Sequence, residues 1–430
     1  MNRDASPDHS SAPLPPSRRD FLAALGASAL GGALPSLAAT AEPAGVFPAD
    51  PARDLTPGRA DLGTLWPDVQ RLADANRFTH AFGSGRFPTF AAHQTAAREK
   101  LLEVLLYRPE PVDPQPELIA RVDCGDYIRE KVTFATAPGL RVPAYVLLPK
   151  GGSGRRPAIV DLHSHGGMFL FGKEKVIDFG RNHPVMTKYH EVNYGGRPTA
   201  TELVRRGYVV ITIDALMFGE RRALVDAAIP AGWDRSRYSE EDVRTLNQVN
   251  RTREATLVKG LTLAGATWPG IVFWDDVRTV DYLVTRPEVD PARIGCQGVS
   301  MGGYRSLFLT ALDARIRAGC VVGFMSTVKP MVRAHLDTHS WVHFLPALHR
   351  YLDWPDVAAL AAPRSLFVQQ CTRDGLFPLA GMQESLEQIG ALYRSAGAAD
   401  KFTGRSYDVT HQYSRPMQDD AFAWFERQLA

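Results

Sequence analysis

A chain of 430 residues, 45% apolar and 22% charged, can bury a large core as one big domain or two smaller ones. A formal net charge of +2 with no long basic block leaves nucleic-acid binding without an electrostatic footprint. Four cysteines (Cys124, Cys296, Cys320, Cys371) are too few and too scattered for a disulfide scaffold, and no Cys-x-x-Cys occurs.

The first 41 residues differ from the rest. A polar start leads to Ser17-Arg18-Arg19-Asp20-Phe21-Leu22, then an Ala/Leu/Gly stretch from Ala23 to Leu34, then small residues up to Ala41. This resembles a twin-arginine export signal cut after Ala41. The apolar run is too short and glycine-rich to span a bilayer comfortably. The expectation is a prokaryotic protein that is periplasmic or secreted, with no stable membrane insertion once the signal is removed. Residues 42–61, rich in Pro, Ala and Asp, read as a linker, and 62–127 as a helical N-terminal extension, clearest in "FAAHQTAAREKLLEVLLYRP".

"YIREKVTFATAPGLRVPAYVLLP" alternates apolar and polar residues around Pro138-Gly139, which predicts an antiparallel hairpin. "PAIVDLH" then reads as a continuous apolar strand at the centre of a sheet covered on both faces. From there strands and helices alternate: helix "TATELVRRG", strand "YVVITID", helix "FWDDVRTVDYLVTRP", strand "RIGCQG", helix "SMGGYRSLFLTAL", strand "AGCVVGF". The series closes with strand "PRSLFVQQ", helix "GMQESLEQIGALYRSAG", strand "KFTGRSYD" and helix "PMQDDAFAWFERQL". Such units build a mainly parallel, doubly wound α/β sheet over residues 128–430. Two insertions, at about 222–270 and 325–360, leave from strand carboxyl edges, where open sheets bind ligands. They are expected to form a cap that shapes the pocket.

In "RIGCQGVSMGGYRS" a strand runs into Gly298-Val299-Ser300-Met301-Gly302 and then a helix, the pattern of a nucleophile elbow. The pentapeptide alone is weak, since a glycine-rich chain offers it by chance. Context strengthens it. A serine nucleophile needs a base and the base an orienting acid, in the chain order Ser, Asp or Glu, His for this sheet type. Asp374 in "CTRDGLFP" and His411 in "YDVTHQYS" follow the next strand ends in that order. The oxyanion of acyl transfer needs backbone N–H donors, expected from Met301 and, in the loop "DLHSHGG", from His165, with Gly166 next. His163, Gly166, Gly167 and Trp341 are pocket candidates, with a packing role preferred for His163.

Other polar residues take structural readings. Asp214 ties down its loop, Glu220-Arg221-Arg222 form internal ion pairs, and Asp275 and Asp276 sit on a solvated or salt-bridged helix face. His335, His339 and His343 are spaced so that they could share a helix face, but no H-E-x-x-H accompanies them, and no metal is expected.

With its G-x-S-x-G, "HSHGG", "DALMFGERR", "RPEVDPARIGCQGVSMGG" and "TRDGLFP", the chain resembles the α/β-hydrolases over about residues 128–430. Within them it is similar to the dienelactone-hydrolase and acetyl-xylan-esterase-like bacterial enzymes. The resemblance implies a serine esterase without metal or organic cofactor, with the triad Ser300, Asp374 and His411 and a small-molecule or carbohydrate ester as substrate. Ser164 stands where glycine usually follows the loop histidine, and dienelactone hydrolases proper use cysteine in place of Ser300. The rival readings are a peptidase or amidase with the same triad, and an inactive binding protein on a hydrolase scaffold.

Overall fold

The computed structural model describes residues 59–151, 154–224 and 238–430, so the expected export signal and most of the expected linker lie outside the described residues. Helices α1 (Trp66–Ala75) and α2 (Phe90–Val104) open the described chain. Thr89 caps α2 by accepting from the Ala92 amide. Strands β1 (Glu117–Asp123), β2 (Tyr127–Ala137), β3 (Leu140–Pro149) and β4 (Arg156–Leu162) follow. Next come α3 (Pro184–Tyr194), α4 (Thr199–Arg205), β5 (Val209–Ile213), α5 (Glu240–Leu263) and α6 (Trp268–Val284). The remainder runs β6 (Val289–Val299), α7 (Met301–Leu312), β7 (Ile316–Val322), α8 (Trp354–Ala359), β8 (Ser365–Cys371), α9 (Leu379–Ser395), β9 (Phe402–Tyr407) and α10 (Arg415–Gln428).

The nine strands form one sheet in the order β1-β2-β3-β5-β4-β6-β7-β8-β9. The β1–β2, β2–β3 and β3–β5 pairs are antiparallel, and the pairs from β5 through β9 are parallel. β5 and β8 are buried along their whole length, which is why they read as unbroken apolar runs. The 127–149 hairpin stands as expected.

The extension at 62–127 is not all helical. "ELIARVD" forms β1, an edge strand whose seven residues are all exposed. It pairs with β2 through backbone bonds and an Arg121–Glu130 ion pair (3.0 Å), so no apolar alternation marks it. Asp61, at the end of the presumed linker, is fastened to the second insertion. Its carboxylate accepts from the Leu336 and Asp337 amides (2.7 and 3.1 Å). All four cysteines are free thiols. No helix among the described residues is long and apolar enough to cross a membrane.

α2 buries His93 completely, with the rings of Phe82, Phe87 and Phe90 5.4–5.7 Å from its centroid. Burial lowers its pKa to about 4 from 6.5. Between those values the unfolded chain takes up a proton that the fold refuses, so stability falls as pH drops through this window. His93→Leu is expected to remove about 1.5 kcal/mol of the loss between pH 6.5 and 5. Denaturant titrations at the two pH values check this; an unchanged difference in the variant would refute it.

Candidate active site

β6 ends at Val299 and α7 begins at Met301, leaving Ser300 alone at the corner with φ 62° and ψ −122°. A non-glycine residue there carries roughly 1–3 kcal/mol of backbone strain and needs surroundings that enforce it. The Ser300 amide donates to the Val322 carbonyl (2.8 Å), and the Ser300 carbonyl accepts from the Tyr304 amide (2.9 Å). Gly298 and Gly302 are required by contact: a Cβ at either would run into the Leu162 carbonyl oxygen at the end of β4.

His411, in the loop after β9, donates from Nδ1 to Asp374 Oδ2 (2.6 Å). The other oxygen, Oδ1, accepts from the Leu376 amide (2.9 Å), which fixes the carboxylate just past β8. Asp374 is nearly fully buried, whereas His411 is partly open. Among the described residues the His411 Nε2 has no hydrogen-bond partner. Ser300 and His411 line one cavity of about 290 Å³ together with His165, Gly166, Gly167 and Trp341. Thus three strand ends bring an alcohol and an oriented imidazole to one space.

The loop after β4 forms another wall. His163 does not line the cavity, so its pocket candidacy falls away and its contacts are those of a packing residue. It is fully buried, donates from Nδ1 to the Ser164 carbonyl (3.0 Å) and accepts at Nε2 from the Ala215 amide (3.1 Å). Burial holds it far below the usual histidine pKa, hence neutral. Ser164, in place of the usual glycine, shares its hydroxyl with Tyr189 (2.7 Å) and Tyr194 (3.1 Å). His165 accepts at Nδ1 from the Gly167 amide (3.0 Å) and donates from Nε2 to Glu254 (2.7 Å). Burial lowers its pKa in spite of that carboxylate.

Glu254 lies on α5, in the first insertion, and sequence reasoning missed it. Besides His165 it accepts from Ser340 Oγ (2.9 Å) and the Trp341 amide (3.2 Å), both in the second insertion. Burial would raise its pKa, but these donors hold it below the usual value. Asn247, also on α5, accepts from the Phe169 and Leu170 amides (2.8 and 3.3 Å). A signal was present: the buried face Val243, Leu246, Asn250, Glu254 runs at helical spacing but turns polar halfway.

The second insertion supplies further lining. His335, His339 and His343 do not share a helix face, since this stretch is bends and a short 3₁₀ turn. His339 and His343 line the cavity wall and meet edge to face, with centroids 5.4 Å apart. Burial pushes His339 down to about 4 and holds His343 well below the usual histidine value. Trp341 is half-exposed at the rim, near Arg251, Asp337 and Thr338.

The remaining charged residues are structural. Asp214 accepts from the Lys173 and Glu220 amides (2.8 and 2.9 Å). Glu174, Asp214 and Glu220 stand close enough to share a metal, but Lys173 Nζ already lies 2.6–3.2 Å from all three. Arg221 pairs with Asp275 (2.7 Å) and Arg305 with Asp276 (2.6 Å), so the helix face is salt-bridged and buried, not solvated.

A largely parallel sheet whose nucleophile elbow opens into a capped cavity defines the α/β-hydrolase class. The model of the Abhydrolase family matches residues 63–424, and the chain belongs to that family. A candidate hydrolase of Bacillus subtilis (strain 168), YtaP, is 29% identical over 264 residues, covering 60% of this chain and 74% of its own. Among solved structures, a candidate acetyl xylan esterase of Bacteroides fragilis NCTC 9343 is similar with TM-score 0.60 and 20% identity, over 80% of this chain and 82% of that one. A glucuronoyl esterase from Solibacter usitatus aligns with TM-score 0.55 and 16% identity, over 82% and 97%. The fold of the chain is thus that of the α/β-hydrolases.

Proposed function

We propose that the protein is an exported serine esterase in which Ser300, His411 and Asp374 act as the triad. The observation that carries the reading is the strained Ser300 sharing a cavity with an imidazole whose Nδ1 is bound by Asp374 and whose Nε2 is unpartnered. His411 Nε2 takes the Ser300 Oγ proton as the oxygen attacks the ester carbonyl. The Met301 and His165 amides receive the oxyanion, and Asp374 stabilises the imidazolium. Collapse expels the alcohol, which leaves with the proton from His411. Water, deprotonated by the same Nε2, then cleaves the acyl-enzyme and restores Ser300.

Acylated carbohydrates are the favoured substrates. The half-exposed Trp341 offers a stacking face, and Arg251, Asp337, Thr338 and Ser340 offer hydrogen bonds around it. Acetyl xylan and glucuronoyl esterases among the structural neighbours point the same way. The signal-like 1–41 stretch supports export. The test combines fluorophosphonate labelling of Ser300 with turnover of p-nitrophenyl acetate, acetylated xylo-oligosaccharides and peptide anilides. Labelling at Ser300 with ester turnover well above anilide turnover is expected; faster anilide turnover, or folded protein that does not label, would overturn the reading.

A further inference from the structure

Lys175 is completely buried, yet among the described residues no carboxylate lies within ion-pair distance of it. Its Nζ donates to the Ser164 carbonyl (2.8 Å) and the His165 carbonyl (2.9 Å). The rings of Phe218 and Tyr189 lie 4.5 and 5.8 Å away. Asp214 and Glu174 act on it only from beyond that distance, and burying an amine with no carboxylate in contact is costly, so a leucine or methionine would fill such a site more cheaply. Burial holds the Lys175 pKa far below that of an ordinary lysine. The amine therefore does something that an apolar side chain cannot.

What it does follows from peptide geometry. In a trans peptide the carbonyl of one residue and the N–H of the next point in opposite directions, and the 164–165 and 165–166 bonds are not cis. Drawing the Ser164 and His165 carbonyls onto one Nζ therefore turns the His165 and Gly166 N–H groups to the other side. Neither N–H has an acceptor among the described residues, and both residues line the cavity that holds Ser300. Successive N–H groups on one side of a turn form an anion-binding nest. The turn is fixed from below as well: Gly166 has φ +54°, and a Cβ there would collide with the Tyr189 hydroxyl. His163 and the Met168 amide each add a second donor to one of the two carbonyls (3.0 and 3.2 Å).

We propose that Lys175 is the positioning residue of the oxyanion loop, holding two carbonyls so that the His165 and Gly166 amides face the reacting carbonyl together, beside the Met301 amide. This rests on the serine-esterase reading above. Lys175 touches no substrate and acts only through the backbone.

The test is Lys175→Met, which keeps the length and loses the donors. On p-nitrophenyl acetate, kcat is expected to fall about 100-fold, as for loss of an oxyanion donor, with KM within about threefold. Affinity for a trifluoromethyl ketone, whose adduct carries the oxyanion, should fall by a similar factor, while that for the product acid stays within threefold. A merely structural role would weaken both ligands alike. Should Lys175→Met fail to fold, Lys175→Gln, which keeps an N–H donor, takes its place and is expected to retain part of kcat.

The proposal is overturned if folded variants keep kcat within threefold of wild type, if both ligands weaken equally, or if neither variant folds. Wild-type protein that neither turns over the ester nor labels at Ser300 would instead remove the esterase reading itself.

Discussion

Ser300→Ala is expected to lower kcat on p-nitrophenyl acetate by about 10⁴–10⁶-fold, with the melting temperature unchanged or raised. The rate falls because no other hydroxyl occupies the corner between β6 and α7. Stability is spared because the residue's own bonds are made by its backbone, to Val322 and Tyr304, and alanine keeps them. His411→Ala should cost a comparable factor, since Asp374 then orients nothing and the serine proton has no acceptor. The double variant should be little worse than either single one, because the two groups act as a unit. Single-turnover and steady-state assays check this. Near-normal activity of His411→Ala would transfer the role of base to another histidine of the cavity wall, His165, His339 or His343.

The second large effect is on stability. Arg305, one turn into the helix that starts at Met301, and Asp276 on α6 are both fully buried and joined by two hydrogen bonds (3.0 and 2.6 Å). Burial still raises the Asp276 pKa despite the guanidinium beside it. Arg305→Met strands that carboxylate in the interior and is expected to cost about 3–5 kcal/mol, read as a lower denaturant midpoint. Asp276→Leu combined with Arg305→Met removes both charges and should recover much of the loss. A single variant within about 1 kcal/mol of wild type would show that the pair is not isolated from water.

The groups that are legible in the sequence are those whose chemistry shares a place with a strand end. Ser300 and Asp374 each follow an apolar strand, and His411 follows the polar strand β9 that the strand–helix alternation calls for, so residue type and position could be read together. Glu254 and Lys175 could not be read that way. Lys175 stands in "FGKEKV", which looks like a solvated stretch, and its partners are backbone carbonyls with no sequence signature. Glu254 is buried only because two insertions and one loop converge on it, a tertiary fact that helical spacing merely hints at. In α3 the start and stop signs are present, Pro184 at the first turn and Gly195 in the left-handed region (φ 58°). Its mixed polarity nonetheless offers no clean stripe. β1 shows the opposite case, a strand held by its ladder rather than by burial.

The three donors on Glu254 come from segments separated by more than 170 positions, 165 at one end and 340–341 at the other. One side chain is thus a keystone. Widening the mouth of the cavity by moving either insertion would break a bond to a shielded anion and slacken His165 in the cavity wall. A rim reshaped around a bulkier ligand is therefore expected to need changes at position 254 and at its partners in concert.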